Sequence, residues 1–457
     1  MKIMFLIRLC LISLAFIALS CQDFLDEKPA KHLTVPNSLD DLQAILNNRN
    51  LYFWNSSMPE AFADNYYVEE SVWLAASEAH GKFYYHWDSK VPSDQTWNYF
   101  YTWIIYYPNV VLDQLNNFKE TSENRQQYNT IKGEALFYRA FAFWQLAQLY
   151  CKPYSETAKT DLGIPLRTTA AIETPSVRAT VQQTYDQIIG DLLLALDLLP
   201  EESVVPTKPN KTGVYGLLSR CYLSMRDYVN AGKYADLCLK AHSDLIDFNT
   251  VKTDPLPFKR FNKETIYYAY CGNTVSILGN PRGRIDTLLY QSYDEKDLRK
   301  KLFFTEMTGE NVGSFRFTGS YDGEHNIAGV VHSITTAEMY LNRAECFARD
   351  GKKDLALADL NTLMKNRWDN SVPYPSITAT SAEDALEKIL VERRKELVYR
   401  SLRWTDLRRF NLEGRNITLV RNVNNQQYLL PPNDPRWVML ISDEVINRTG
   451  MPQNPRN

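Results

Sequence analysis

Residues 219–239, "SRCYLSMRDYVNAGKYADLCL", decide the fold, because residues 344–363, "AECFARDGKKDLALADLNTL", repeat their pattern. A small residue (Ser219, Ala344) is followed three positions later by an aromatic one (Tyr222, Phe347). A turn position comes next (Arg226, Gly351), then alanine (Ala231, Ala356), then a closing core position (Cys238, Leu363). Small residues let two helix backbones approach closely, and the aromatic ring fills the gap between them. The spacing predicts two tetratricopeptide-like helix–turn–helix units.

Most of the remaining chain has a helical rhythm. Residues 131–150 put apolar side chains on a wide stripe, and residues 181–199 do the same until Pro200 stops them. Asn37-Ser38 ahead of "LDDLQAIL" is an N-cap signal. Helices over 97–118, 125–150, 181–199 and 382–410 are expected as degenerate members of the same array. The predicted fold is therefore all-α dominated: a superhelix of about four tetratricopeptide-like pairs. Linkers are expected at 152–179 and 200–210, where Pro, Thr and Ser collect. The two units are not in tandem. Between them, at 245–333, "KETIYYAYCG" and "GSFRFTGSYDGEH" read as short strands and Gly-rich turns. Such an insertion in a helical array projects from one face and is a candidate for binding. The organisation expected is an N-terminal half over 21–210 and a C-terminal half over 211–457.

Composition narrows the function classes. Hydrophobic content of 44% and charged content of 23% are ordinary for a globular protein. The net charge of −3 becomes −5 without the first twenty residues, which hold two basic and no acidic groups. That excludes nucleic acid as the main partner, since phosphate binding needs a basic surface. There are seven cysteines and no CxxC. Cys151, Cys221, Cys238, Cys271 and Cys346 are expected to be buried and free, with a Cys221–Cys238 bridge across a helix hairpin as the alternative. His325 and His332 have no carboxylate or cysteine at metal spacing, so no metal or cofactor site is expected. The sequence has no GxSxG, no P-loop and no GxGxxG after a strand. Glu392 and Glu396 stand one helical turn apart, but Arg393, Arg394, Lys395, Arg400 and Arg403 surround them. Surface ion pairs such as Glu396–Arg400 are expected there, with Trp404 packing between helices and Asp406 capping or bridging to Arg403. Cations lower carboxylate pKa values, whereas a general acid needs one raised. No carboxylate pair stands out as glycosidase-like.

The first residues carry a different message. Lys2 and Arg8 precede the apolar run 9–20, which is too short to span a bilayer and fits a secretory h-region. The run ends at Cys21, followed by Asp23, Asp26 and Glu27. This resembles a bacterial lipoprotein signal, so residues 1–20 are expected to be removed and Cys21 to carry a diacylglyceryl group. Several acyl chains anchor stably, at about 0.8 kcal/mol for each buried CH₂.

The stretch 52–107 is roughly one-third Phe, Tyr and Trp, against 12% for the whole chain. Within it, "GKFYYHWDSK" has five successive ring residues that fit neither a helix nor an alternating strand. A flat ring stacks on the apolar face of a sugar, while Asp, Asn and Arg bind its hydroxyls. Trp73, Tyr84, Tyr85 and Trp87 are candidate ligand contacts, with half-buried packing as the alternative. Trp97, Tyr101 and Trp103, at helical spacing, are expected in the core. Asp64 is a candidate hydroxyl acceptor or a turn residue. In the insertion, Arg284, Tyr321 and Asp322 offer polar groups on turns.

Several stretches in order carry a family resemblance: "SCQDFLDEKP", "WNYFYTWIIYYPNVVLDQL", "KGEALFYRAFAFWQLAQLY", "TTAEMYLNRAECFARDGKKDLALADLNTLMKNR", "VERRKELVYRSLRWTDLRRFN" and "LPPNDPRWVMLISDEVINRTGMPQNPR". The chain resembles the SusD/RagB nutrient-binding lipoproteins over nearly its whole mature length. Family members often carry Glu-Gly where this chain has Arg400 and Ser401. The resemblance implies a lipid-anchored, surface-exposed outer-membrane protein of a Gram-negative bacterium. It implies a glycan ligand, in some members a peptide, handed to a SusC-like TonB-dependent transporter, with no catalysis. Two other readings fit the same residues: a helical-repeat scaffold without nutrient binding, and a surface glycoside hydrolase.

Overall fold

Side-chain caps set the helix starts in the computed structural model, which describes residues 36–77, 81–88, 95–272, 275–279, 282–323 and 329–456. Ser38 and Asp41 form a capping box at α1 (Leu39–Leu46). Two short helices follow, α2 (Asn50–Phe53) and α3 (Met58–Phe62). Residues 100–105 then wind as a π-helix into α4 (Tyr106–Leu115). Pro108 has no N–H, and its ring crowds the carbonyl of Ile104, which accounts for a widened turn just upstream. α5 (Arg125–Tyr150) is buried almost without interruption from Ile131 onward, between α4 and α6 (Val181–Leu198). Its buried charges are matched: Arg139 by Asp191 at 2.8 Å, and Glu134 by Lys208 at 2.8 Å.

The repeat units are α7 (Lys211–Met225) with α8 (Tyr228–Ala241), and α9 (Thr336–Arg349) with α10 (Lys353–Lys365). The expected turn residues Arg226 and Gly351 both adopt left-handed backbones, at φ +63° and +72°. Tyr222 stacks on Tyr234 with ring centroids 5.6 Å apart. Although 245–333 separates the units in sequence, α8 packs directly on α9. Gly232 makes this contact close: a Cβ there would lie 2.9 Å from the Cβ of Cys346.

α11 (Ala382–Glu396) packs on α9 and α10, and α12 (Arg403–Leu412) returns to α3 and α7. The single helix expected over 382–410 is thus two. The break holds Tyr399 and Ser401, both at φ +58°. Ser401 takes the left-handed conformation that glycine adopts without steric cost. Both backbone N–H groups donate to the buried Glu60 carboxylate, Tyr399 at 3.3 Å and Ser401 at 3.1 Å.

The charges of this segment also differ from expectation. Glu396 does not pair with Arg400 at the surface; it is buried and bound to Arg367 at 2.9 Å and Arg299 at 3.1 Å. Arg400 instead lies over the Tyr321 ring, 3.9 Å from its centre. Asp406 bridges Arg393 and Arg409 rather than Arg403, which pairs with Asp64 at 2.7 Å. The reason is burial: other elements cover this face, and a desolvated charge needs an opposite charge in hydrogen-bonding contact.

The stretch 152–179 is more than a linker, since its Leu162–Pro165 pairs antiparallel with Arg178–Thr180 at its end. In the insertion, Phe304–Glu306 pairs with Phe315–Phe317, and Thr265–Tyr267 pairs with Ile334–Thr335 just beyond it. Cys151, Cys221, Cys238, Cys271 and Cys346 are buried and free, so Cys221 and Cys238 are not bridged. Among the described residues, no helix is long and apolar enough to cross a membrane. The signal segment, Cys21 and His325 lie outside the described residues.

Candidate functional site

Residues 52–55 run antiparallel to 270–272, which joins the aromatic N-terminal stretch to the insertion. The Tyr270 N–H donates to Tyr52 O at 2.7 Å, and the Gly272 N–H donates to Phe53 O at 2.7 Å. Asn55 closes the seam by donating its side-chain amide to the carbonyls of Tyr52 and Tyr270, at 2.9 and 3.1 Å. Asn55 is itself held by Gln145 of α5 at 2.7 Å, and Gln145 lies 2.9 Å from His332. Burial, reinforced by Arg220, keeps His332 well below its usual pKa and therefore neutral. Gly272 is required at the seam, because a Cβ there would meet the Phe53 ring at 2.5 Å.

This seam supports four half-buried rings. Phe53 stacks on Tyr270 at 4.7 Å, and Trp54 stacks on Tyr99 at 5.0 Å with the planes 5° apart. Phe53 and Trp54 meet edge to face at 5.0 Å. The Arg49 guanidinium lies 4.0 Å from the Phe53 centroid, and the Trp54 indole donates to Asn50 at 2.9 Å. The result is a rigid, partly solvent-facing aromatic surface with a cation and an amide beside it. Chemically it suits stacking against the apolar face of a sugar, with polar groups at its edge for hydroxyls.

The residues singled out from sequence lie elsewhere, mostly buried. Trp87 is 2% exposed and donates its indole N–H to Phe62 O at 3.0 Å. Tyr85 accepts from the Val68 N–H, and with Tyr66 and Trp87 it surrounds the Arg421 guanidinium. Tyr84 packs edge-on against Phe62. Trp73 is buried between His86 and Lys82. Arg284 bonds Asn311 at 2.6 Å and faces Glu69. Tyr321 donates to Glu264 at 3.0 Å, and Asp322 is fully buried. Asp64 keeps a quarter of its side chain exposed but is held by Arg403 and Arg394. Burial opposes its charge, yet the two guanidiniums bring its carboxyl well below the usual range. A stacking platform needs an open face, and these side chains spend theirs on packing. Trp97 is in the core, as helical spacing predicts, whereas Tyr101 and Trp103 are half-buried. Phe53, Trp54, Tyr99 and Tyr270 were inside or beside the aromatic stretches read from sequence. Only the pairing of 52–55 with 270–272 distinguishes them from their neighbours.

The helix pairs and their packing define a protein of the tetratricopeptide-like helical-repeat class. The chain belongs to the SusD family, which matches residues 208–444; a related family, described as starch-binding associating with outer membrane, matches residues 23–223. The SusD-like protein P2 of Formosa agariphila is 23% identical over 404 residues, covering 75% of this chain and 77% of that protein. A solved SusD superfamily protein from Bacteroides thetaiotaomicron is similar over 92% of this chain and 100% of its own, with TM-score 0.77 and 22% identity. A solved laminarin-binding SusD-like protein is similar over 92% of this chain and 98% of its own, with TM-score 0.67 and 17% identity.

Proposed function

We propose that this protein captures glycans on the Phe53–Trp54–Tyr99–Tyr270 surface and passes them to a SusC-like TonB-dependent transporter. The observation that carries the reading is the stacked, half-buried ring cluster locked by the 52–55 and 270–272 seam. Membership of the family and the laminarin-binding neighbour support a carbohydrate ligand. Delivery and cell-surface anchoring through Cys21 complete the proposal, consistent with the apolar run that ends there. The protein is a binder rather than an enzyme in this reading. Glu396, the carboxylate that invited a catalytic role, is buried, and Arg367 and Arg299 override the burial to bring its pKa down.

Isothermal titration with laminari- and malto-oligosaccharides, and with peptides of similar mass, tests the ligand class. Binding of a glycan that is lost in Trp54→Ala supports the reading; binding of peptides alone overturns it. Mass spectrometry of the protein from its native membrane tests the anchor, and an unmodified Cys21 thiol would refute that part.

A further inference from the structure

A second concavity, remote in sequence from the ring surface, lies where the 152–162 segment, the end of α12 and the 433–455 segment converge. It encloses about 540 Å³, lined by Lys152, Asp161, Arg408, Asn433, Asp434 and Trp437 among others. Pro153, Pro435 and Pro455 also line it and restrict its backbone. Trp437 is fixed by an indole hydrogen bond to Pro431 O at 2.7 Å and by stacking on Trp404 at 4.5 Å.

Elsewhere in the molecule the buried guanidiniums are matched in two ways. Those of Arg139, Arg220, Arg299, Arg367, Arg393 and Arg409 each bind a carboxylate. Those of Arg421 and Arg400 lack an ion pair among the described residues but lie against aromatic rings, Arg421 among Tyr66, Tyr85 and Trp87 and Arg400 over Tyr321. Arg408 is 3% exposed, yet it donates only to the carbonyls of Gln148 and Cys151. Its Nε–H has no acceptor among the described residues. Just behind the wall, buried Arg178 likewise bonds only neutral oxygens, among them Gly163 O at 2.7 Å and Asn454 Oδ1 at 2.8 Å. The two lining carboxylates are already committed: Asp161 to Lys152 at 2.7 Å, and Asp434 to Arg436 at 2.7 Å. Burial brings the Arg408 pKa down to about 10. Uncompensated buried charge is costly, and an anion entering the cavity relieves that cost.

We propose that this cavity is an anion-selective sugar subsite, taking a unit that carries a carboxylate or a sulfate ester, with Arg408 supplying the counter-charge, Lys152 holding Asp161 neutralised at the rim and Trp437 forming the wall. The sugar part rests on the glycan-capture reading; the anion part does not.

The test is calorimetric titration of the full-length protein in detergent with trigalacturonate, a sulfated trisaccharide, the neutral laminaritriose and sodium sulfate. One or both acidic trisaccharides are expected to bind at least ten-fold tighter than the neutral one, with affinity falling as salt rises. Lys152→Glu, at an exposed rim position, is expected to weaken the acidic ligand at least five-fold with unchanged circular dichroism and unchanged laminaritriose binding. Trp54→Ala is expected to weaken laminaritriose and spare the acidic ligand, so that a wild-type protein that binds acidic but not neutral sugar counts against the ring surface and not against this cavity. Three results overturn the proposal: no preference for acidic over neutral sugar, no effect of Lys152→Glu, or loss of acidic binding in Trp54→Ala. Binding of sulfate ion without any acidic sugar overturns the sugar half.

Discussion

The segment 390–409 and the ring surface at 49–55, 99 and 270–272 use their side chains in opposite ways. The first is rich in charge and turned inward; the second is rich in aromatic carbon and left partly open. In the first, Arg367 ties Glu264 to Glu396, Arg299 ties Asp297 to Glu396, and Arg403 reaches across to Asp64. These links cross between the N-terminal half, the insertion and α11. They couple specific partners, because a buried cation tolerates few alternative neighbours. In the second, rings stack on one another and stay half-buried. The lesson is that charge density did not mark the surface of this protein, and aromatic density did not separate its core from its half-buried rings.

The sharpest way to break the comparison is to remove a buried cation. Arg367→Leu leaves Glu264 and Glu396 without their shared guanidinium. A loss of about 3–5 kcal/mol is expected in urea unfolding, the usual cost of stranding a buried partner. A surface ion pair would lose less than about 1 kcal/mol, and such a result would return this segment to the surface reading.

Glu60 gives the next largest effect, in the pH dimension. Burial raises its carboxyl to about 7, against the opposing hydrogen bonds of Asn65, Ser401 and Tyr399. Between the ordinary glutamate range near 4.5 and pH 7, the folded protein keeps a proton that the unfolded chain has lost. The contribution of Glu60 to stability is therefore full below about 4.5, declines as pH rises and levels off above about 7. The slope is at most about 1.4 kcal/mol per pH unit. Chemical denaturation of wild type and Glu60→Gln across pH 5–8 checks this: the gap between them is expected to shift toward the variant as pH rises. A constant gap removes Glu60 as the titrating group.

At the ring surface the pattern reverses, with function more sensitive than stability. Trp54→Ala is expected to cut glycan affinity ~10–30-fold, or about 1.5–2 kcal/mol, in calorimetry. Its unfolding midpoint is expected to move less than that of Arg367→Leu. Gly272→Ala sharpens the contrast further. Its new Cβ meets Phe53, so overpacking of ~1–2 kcal/mol is expected, together with weaker glycan binding because the ring must shift. Unchanged affinity would show that the Phe53 position is not part of the binding surface.

The helical-repeat architecture was legible because its signals are local. Period, caps at Ser38, and left-handed turn positions at Arg226 and Gly351 depend on residues within a few positions of one another. The break at 397–402 was not legible. A residue with a side chain takes a positive φ only with outside support, and here Glu60 supplies it from more than three hundred residues away. The proposed ring surface was half legible: the aromatic excess of 52–107 contains Phe53, Trp54 and Tyr99, but Trp87 and Trp54 are indistinguishable as letters. What separates them is coverage. Arg421 and Phe62 enclose Trp87, whereas the 270–272 strand pairs with the backbone beside Trp54 and leaves its ring half open.

The sequence alone determined the helix pairs and their repeat spacing, since periodicity acts over short range. Tertiary structure alone decided which charges are buried, which rings are exposed and which cavity carries an unmatched cation. Burial depends on long-range neighbours, and desolvation, which sets the worth of a charge or a ring, exists only once those neighbours are in place.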